Sequence, residues 1–188
     1  TRYTLSILLG EDTPLHPGNV YAATKACQGM LGEIYAKAYG MDLLCVRAFN
    51  HVGPGQAPMF VVSDFCRQTA AIELGQQEPV IRIGNLSAKR DFTDVRDVVR
   101  AYVLLAGRVY NVGSGKAVEI RGILDLILAQ SGAKIQAETD PAKLRPVDVP
   151  VVEADIRRLQ EDTGWQRQIP LEQTIRDTLA YWRTELAK

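Results

Sequence analysis

The chain has 188 residues, of which 46% are hydrophobic and 23% are charged, a composition typical of one globular domain or of one domain with part of another. Its 22 basic and 22 acidic residues give a net charge of zero, so no general attraction to nucleic acid or anionic membrane is expected. The apolar run at residues 5–9 is too short for a signal peptide or a membrane span, and we expect no membrane partner.

Helical and extended patterns alternate along the chain. They predict strands at residues 1–10, 42–49, 80–83 and 108–112, a Gly/Pro-rich loop at 50–58, an extended segment at 144–150, and helices at 20–39, 60–74, 94–105, 118–130 and 171–186. Strands separated by helices indicate an α/β fold with a largely parallel sheet.

Two junctions are unusually tight for this pattern. The helix ending near residue 105 meets the strand near residue 108 across about two residues, and residues 1–10 run into residues 11–14 almost without a turn. We therefore expect the natural protein to carry further loop residues at these points. An intact mass equal to the 20.8 kDa of this sequence would contradict that expectation.

The first helix carries a tyrosine and a lysine four residues apart, Tyr21 and Lys25. Residues at this spacing lie on one helix face. A free tyrosine has a pKa of about 10, and a nearby cation lowers it. The pair could therefore transfer a proton to or from a carbonyl or carbinol oxygen. A packed tyrosine beside a solvated lysine would explain the same spacing.

A loop rich in glycine and proline, residues 49–56, follows the second predicted strand. Loops at the carboxyl ends of strands are where α/β sheets bind ligands. Asn50 can donate and accept hydrogen bonds, which suits a sugar hydroxyl or carbonyl. The alternative is a structural turn in which Asn50 caps backbone groups.

Two arginines stand in segments that could bind an anion. Arg90 precedes a helix start where Thr93 or Asp94 could be the N-cap, and its planar guanidinium matches phosphate oxygens. Arg145 and Asp148 lie three apart in the extended segment, an arrangement that suits a diphosphate beside ribose hydroxyls. A solvated arginine and an irregular surface connection are the structural alternatives.

The segment at residues 110–115 ends in Gly113-Ser114-Gly115 and superficially resembles a phosphate loop. It lacks the third glycine of a dinucleotide fingerprint and the lysine–serine ending of a P-loop. A tight turn between a strand and a helix is the favoured interpretation.

The cysteines and histidines indicate no metal site. Cys27, Cys45 and Cys66 form no close pair, which is typical of reduced thiols in a cytoplasmic protein. The two histidines match no familiar ligand spacing with them.

Taken in order, these motifs resemble the extended short-chain dehydrogenase/reductase family, the nucleotide-sugar epimerases and dehydratases. The resemblance covers residues 11–185 and rests on the following motifs: Tyr21-x-x-x-Lys25, Arg-x-Phe-Asn50-His-x-Gly-Pro-Gly-Gln56, Lys-Arg90-Asp-Phe, Tyr-Asn-Val-Gly113, Leu-Arg145-Pro-x-Asp148 and Thr-Gly164-Trp165. Each motif is modest alone, and their common order makes the set specific.

The resemblance implies an oxidoreductase that reduces the 4-keto group of a GDP-linked 6-deoxyhexose with NADPH or NADH. Tyr21 would protonate the sugar O4, and Lys25 would hold the nicotinamide ribose and lower the tyrosine pKa. The implied cofactor contacts are Tyr21, Lys25, Asn50, His51 and Val52. The implied substrate contacts are Asn50, Gln56, Arg90, Arg145 and Asp148, with residues 80–85 near the base. A related 4-epimerase or 4,6-dehydratase and a non-catalytic nucleotide-sugar-binding protein are the alternatives.

The resemblance further implies the end of a Rossmann-type NAD(P)-binding domain at residues 11–56 and a nucleotide-sugar-binding domain at 57–188, with residues 94–112 returning to the Rossmann sheet. Only 20 residues precede Tyr21, and no glycine-rich dinucleotide loop is among them. Ser6 lies too close to Tyr21 to be assigned as the usual third catalytic residue. We therefore expect the C-terminal part of such an enzyme, with little activity by itself. Apolar positions on the first two helices, at residues 27–34 and 65–72, would permit a homodimer, and core packing would explain them equally well.

Overall fold

The largest sheet is organised around β5 (Lys89–Asp94). In the computed structural model, which describes residues 8–105, 109–144 and 148–188, β5 pairs in parallel with β3 (Asn50–Val52) and β9 (Val151–Ala154). It pairs antiparallel with β7 (Ala117–Glu119). The short β1 (Leu8–Leu9) extends this sheet by parallel pairing with β9.

Two further pairs of strands are also parallel. β2 (Cys45–Ala48) pairs with β6 (Val109–Val112), and β4 (Val80–Ile83) pairs with β8 (Gln136–Thr139). The described helices are α1 (Val20–Tyr39), α2 (Val61–Glu73), α3 (Val95–Leu104), α4 (Ile120–Leu128), α5 (Arg157–Thr163) and α6 (Leu171–Leu186), with a 3₁₀ turn at Pro141–Lys143. None of them is long and apolar enough to cross a membrane, within the part of the chain that the structure describes.

The core consists of two clusters of buried apolar side chains. The larger lies where α2, α4 and α6 pack together beside β4, and it includes Phe65, Ile81, Leu124 and Leu179. The smaller lies between β6, α3 and α5 and includes Trp165, whose indole Nε1 donates to the Asp97 carbonyl oxygen at 3.1 Å. The aliphatic faces of amphipathic helices provide the buried area that stabilises both clusters.

The start of α3 is fixed by the carboxylate of its N-cap, Asp94. This side chain accepts from the Arg96 backbone N–H at 2.8 Å and from Thr174 Oγ1 at 2.7 Å, so it joins α3 to α6. Burial acts to raise the pKa of the Asp94 carboxyl, but hydrogen bonds from Arg96 and Thr174 outweigh burial and lower it. Of the two predicted N-cap candidates, Asp94 is therefore the one used.

The predicted α/β class with largely parallel strands is confirmed, and β4 and α6 have the predicted bounds. Three details were wrong or missed. Residues 50–52, predicted as loop, form β3, because they pair with β5. Residues 118–119, predicted as helix, belong to β7. β8, β9 and α5 were not predicted; β8 is exposed along its whole length and so shows no alternation of apolar and polar residues.

The strand pairing bears on the predicted division of the chain near residue 56. β6 pairs with β2, as a return of residues 94–112 to the first sheet would require. However, β3, from before residue 56, pairs with β5, from after it. The division into two domains stays a prediction.

Candidate functional site

Tyr21 and Lys25 meet on the first turns of α1. Asn19 begins this helix, since its side-chain Oδ1 accepts from the Ala22 backbone N–H at 2.8 Å. Lys25 Nζ lies 5.9 Å from the centroid of the Tyr21 ring, and it also donates to Gln28 Oε1 at 3.3 Å. The spacing has therefore brought the phenol and the ammonium together, as the i, i+4 geometry predicts.

Both members of this pair are exposed within the described residues. Tyr21 is 71% exposed, and α1 contains no buried residue at all. Both polar groups are thus open to a ligand that approaches this face of the helix.

Arg90 and Asp148, predicted at the sugar-nucleotide site, form an ion pair. One terminal nitrogen of Arg90, in β5, donates to Asp148 Oδ1, and both side chains are largely buried, with exposed fractions of 17% and 22%. The other terminal nitrogen donates to the Lys89 carbonyl oxygen at 2.8 Å. Arg145 lies outside the described residues, so the structure tests nothing about it.

Asp148 is held from its other side as well. Asn85 Nδ2 donates to Asp148 Oδ2 at 3.1 Å, and the Lys89 backbone N–H donates to the carbonyl oxygen of Pro150 at 2.8 Å. The carboxylate is therefore placed between a guanidinium and an amide, with lone pairs left on both oxygens for further donors. Such a group suits two neighbouring hydroxyls.

The side chain of Asn50 is hydrogen-bonded to β5. Its Nδ2 donates to the carbonyl oxygen of Asp91 at 3.2 Å, so the side chain holds backbone, as the structural alternative supposed. Asn50 is nevertheless exposed, and its Oδ1 has no hydrogen bond within the described residues. That oxygen is free to accept from a ligand.

Asp91 is the buried hub of this region. It is fully buried, and its carboxylate accepts from Ser114 N and Oγ, both at 2.7 Å, from Gly115 N at 3.0 Å and from Ala154 N at 3.1 Å. A buried carboxylate is tolerable only when hydrogen bonds satisfy it in this way. One side chain thus joins β5, the turn after β6, and β9.

The glycine-rich turn is consequently not available to a phosphate. The N–H groups of Ser114 and Gly115 already donate to Asp91. A Cβ on Gly113 would stand 2.6 Å from Ala154 Cβ, so this glycine serves close packing. The interpretation as a tight turn is confirmed, although the turn leads into β7 before α4 begins.

The remaining predicted residues of the 50–56 segment differ in exposure. His51 is exposed, and its carbonyl oxygen accepts from Gln56 Nε2 at 2.8 Å. Val52 is 1% exposed and packs in the larger core cluster. Its side chain is therefore not presented to a ligand, and any contact with a cofactor would use its backbone.

The predicted residues form separate groups. Within the described residues, no hydrogen bond or ion pair links Tyr21 or Lys25 to Asn50, Arg90 or Asp148. Sequence reasoning missed the roles of Asn85 and Asp91. The Asn-x-Ser pattern at Asn85 is an Asx-turn signal that could have indicated the first, whereas no sequence signal separates Asp91 from the other acids nearby.

The thiols and acids supply no further site. All three cysteines are free, and burial raises the pKa of the Cys66 thiol to about 12, which keeps it protonated and unreactive. Across the described ranges, no group of three or more histidine, cysteine, aspartate or glutamate side chains is placed to hold a metal ion.

Comparison with known proteins places this geometry in a family. The family model described as GDP-mannose 4,6 dehydratase matches residues 4–178. The GDP-6-deoxy-D-mannose reductase of Pseudomonas aeruginosa is 35% identical over 176 residues, which cover 91% of this chain and 58% of the relative. A GDP-mannose 4,6-dehydratase of Sinorhizobium fredii is 27% identical, with 92% of this chain and 57% of the relative covered.

Solved structures agree with these relatives. The RMD protein of Pseudomonas aeruginosa in complex with NADPH superposes with a TM-score of 0.87 at 33% identity, over 93% of this chain and 60% of that one. A UDP-glucose 4-epimerase of Thermotoga maritima with UDP-glucose gives a TM-score of 0.80 at 26% identity, over 95% and 58%. This chain therefore spans about three-fifths of the length of these proteins.

Proposed function

Because the chain belongs to the GDP-mannose 4,6-dehydratase family, we propose that it is part of an NAD(P)H-dependent oxidoreductase that acts on a nucleotide sugar. More specifically, we propose reduction of the 4-keto group of a GDP-4-keto-6-deoxyhexose in the cytoplasm. The observation that carries the proposal is the exposed pair in which Lys25 Nζ lies 5.9 Å from the Tyr21 ring. The free cysteines agree with a reducing compartment.

The chemistry of the pair matches that reaction. A bound nicotinamide supplies the hydride that reaches the sugar C4. Negative charge then develops on O4, and the Tyr21 hydroxyl gives its proton to that oxygen. Lys25 stabilises the phenolate that remains, since a cation nearby favours the charged form of the phenol. The products are the C4 alcohol and the oxidised nicotinamide.

Only one end of the dinucleotide fits the described residues. The Lys25 ammonium and the exposed Tyr21 suit the ribose and nicotinamide. The amides of Ser114 and Gly115 do not suit its pyrophosphate, because Asp91 occupies them. We expect correspondingly little turnover from these residues by themselves.

The substrate site that we propose is the group around β5. Arg90 would bind the diphosphate, Asp148 the nucleotide ribose and Asn50 the sugar, with Gln56 and Arg145 as further contacts. In the absence of a ligand, the Arg90–Asp148 pair offsets the cost of burying each charge. Guanine specificity rests on the likeness to the Pseudomonas aeruginosa reductase.

The experiment is a turnover assay on the longest natural chain that contains these residues. Consumption of NADPH matched to loss of the keto sugar is expected. Tyr21→Phe should lower kcat about 10²–10⁴-fold, the usual contribution of a general acid. Tyr35→Phe, an exposed tyrosine on the same helix, is the control and should leave kcat unchanged.

A second candidate function is a nucleotide-sugar 4,6-dehydratase or 4-epimerase, favoured by the likeness to the Sinorhizobium fredii dehydratase and to the Thermotoga maritima epimerase. Turnover of a GDP-hexose without net consumption of added nicotinamide would favour this candidate over the reductase. Binding of GDP with no turnover, unaffected by Tyr21→Phe, would contradict both and indicate a binding protein.

A further inference from the structure

An exposed asparagine stands directly behind the carboxylate that we assign to the nucleotide ribose. Asn85 follows β4, and its Nδ2 donates to Asp148 Oδ2 at 3.1 Å. The other oxygen, Oδ1, accepts from Arg90. Hydrogen bonds to both oxygens thus fix the rotation of the Asp148 carboxylate.

The amide of Asn85 is itself fixed. Its Oδ1 accepts from the Ser87 backbone N–H at 3.0 Å and from Ser87 Oγ at 2.8 Å. An amide whose oxygen is held by two donors must present its NH₂ group on the opposite side. In this arrangement that side faces Asp148.

The backbone just before Asn85 approaches Lys143 closely. A Cβ on Gly84 would stand 2.7 Å from the carbonyl oxygen of Lys143, so the two segments of the chain are in contact just before Asn85. The Lys143 ammonium also donates to the Arg82 carbonyl oxygen at 2.9 Å. The backbone just before Asn85 therefore lies against a neighbouring segment, and the bonds from Ser87 fix the orientation of the amide.

We propose that Asn85 is a positioning residue that orients Asp148 toward the 2′ and 3′ hydroxyls of the nucleotide ribose. The inference rests on the proposed function, because that function assigns Asp148 to the ribose. With Asn85 and Arg90 each using one lone pair, each carboxylate oxygen keeps a lone pair for one hydroxyl of the diol. Without Asn85 the carboxylate would turn about its own axis and lose this match.

The test compares GDP with 2′,3′-dideoxy-GDP, which lacks both hydroxyls, by calorimetric titration. The wild-type protein should bind GDP more tightly than the dideoxy nucleotide. Asn85→Ala should weaken the affinity for GDP about three- to ten-fold, the range of a single hydrogen bond, and leave the affinity for the dideoxy nucleotide unchanged. Ser87→Ala removes one of the two donors to the Asn85 amide oxygen. It should therefore weaken the affinity for GDP by about two-fold.

Gln160→Ala, an exposed amide on α5, is the control and should change neither affinity. Equal weakening of both nucleotides in Asn85→Ala would overturn the inference, because it would indicate a general structural role. An unchanged GDP affinity in Asn85→Ala would overturn it as well.

The same measurements distinguish failure of this inference from failure of the proposed reductase activity. If the wild-type protein discriminates between the two nucleotides and Asn85→Ala reduces the difference, the inference stands even when no keto sugar is reduced. If keto sugar is reduced but the wild-type protein does not distinguish the nucleotides, the inference is overturned and the reductase proposal remains.

Discussion

Helix α1 and strand β5 carry the two halves of the proposed chemistry, and they are built in opposite ways. α1 presents Tyr21 and Lys25 on a helix without one buried residue. β5 lies between partner strands, and Asp91 and Asp94 on it are buried and fully hydrogen-bonded. The proposed substrate-binding group Arg90 thus stands on a well-paired strand, whereas the proposed proton-transfer pair stands on a helix that gains little from packing within the described residues.

Because α6 is packed in the core and α1 is exposed, the same leucine-to-alanine change should lower the free energy of unfolding by very different amounts on the two helices. Leu179→Ala on α6 removes a fully buried side chain and should lower the free energy of unfolding by about 2–5 kcal/mol, the range for a new core cavity. Leu31→Ala on α1 removes a side chain that is 55% exposed and should cost no more than about 0.5 kcal/mol. Urea unfolding of both variants measures the difference.

A large loss of unfolding free energy in Leu31→Ala would contradict the difference drawn between α1 and α6. It would mean that α1 is covered in solution, as the predicted homodimer requires. Repeating the unfolding at two protein concentrations would then separate a second copy from intramolecular packing, since only the dimer makes stability depend on concentration.

Substitution of Asp91, on β5, should give the next largest loss of stability. Asp91→Asn keeps the shape but places an NH₂ group against N–H donors, so it should cost about 2–3 kcal/mol. Asp125→Asn, an exposed acid on α4, makes the same chemical change and should cost less than about 0.5 kcal/mol. Equal stability of the two variants in denaturant would show that Asp91 is not the hub described above.

The smallest effect is on pH dependence. A hydrogen bond from Arg183 lowers the pKa of Glu73, and the bonds to Arg96 and Thr174 lower that of Asp94 against the opposing effect of burial. Both pKa values are then lower in the folded than in the unfolded chain, so the unfolded chain binds more protons in acid. This stability is present above pH values of about 4–5 and is lost as the pH falls through the folded values.

Thermal unfolding between pH 6 and pH 3 should therefore give a falling midpoint, and the slope should be shallower in Asp94→Asn. Asp125→Asn again serves as the control and should keep the parent slope. A parent protein whose midpoint did not change over this range would contradict the linkage.

Long helices were predictable, and most short strands were not. α1 and α6 have the predicted bounds, and Gly75, with φ of 70°, ends α2 as a glycine after a helix should. β3 and β7 contain three residues each, and only their pairing with β5 makes them strands. Local propensity cannot supply that information.

The candidate site shows the same limit. The spacing of Tyr21 and Lys25 was enough to predict their contact, because a helix fixes which side chains are neighbours. The pairing of Arg90 with Asp148 joins residues 58 positions apart, and the motifs only suggested that both bind one ligand. The support that Asn85 gives to Asp148 depends on where two segments meet, which no local pattern records.

The many bonds of Asp91 have a practical meaning for protein engineering. Its carboxylate serves the turn after β6 and β9, and its carbonyl oxygen accepts from Asn50. A library that randomises Asp91 would mainly yield destabilised variants. Diversity aimed at a new nucleotide or sugar is better placed at Asn85 and Ser87, which are exposed beside the proposed ribose site.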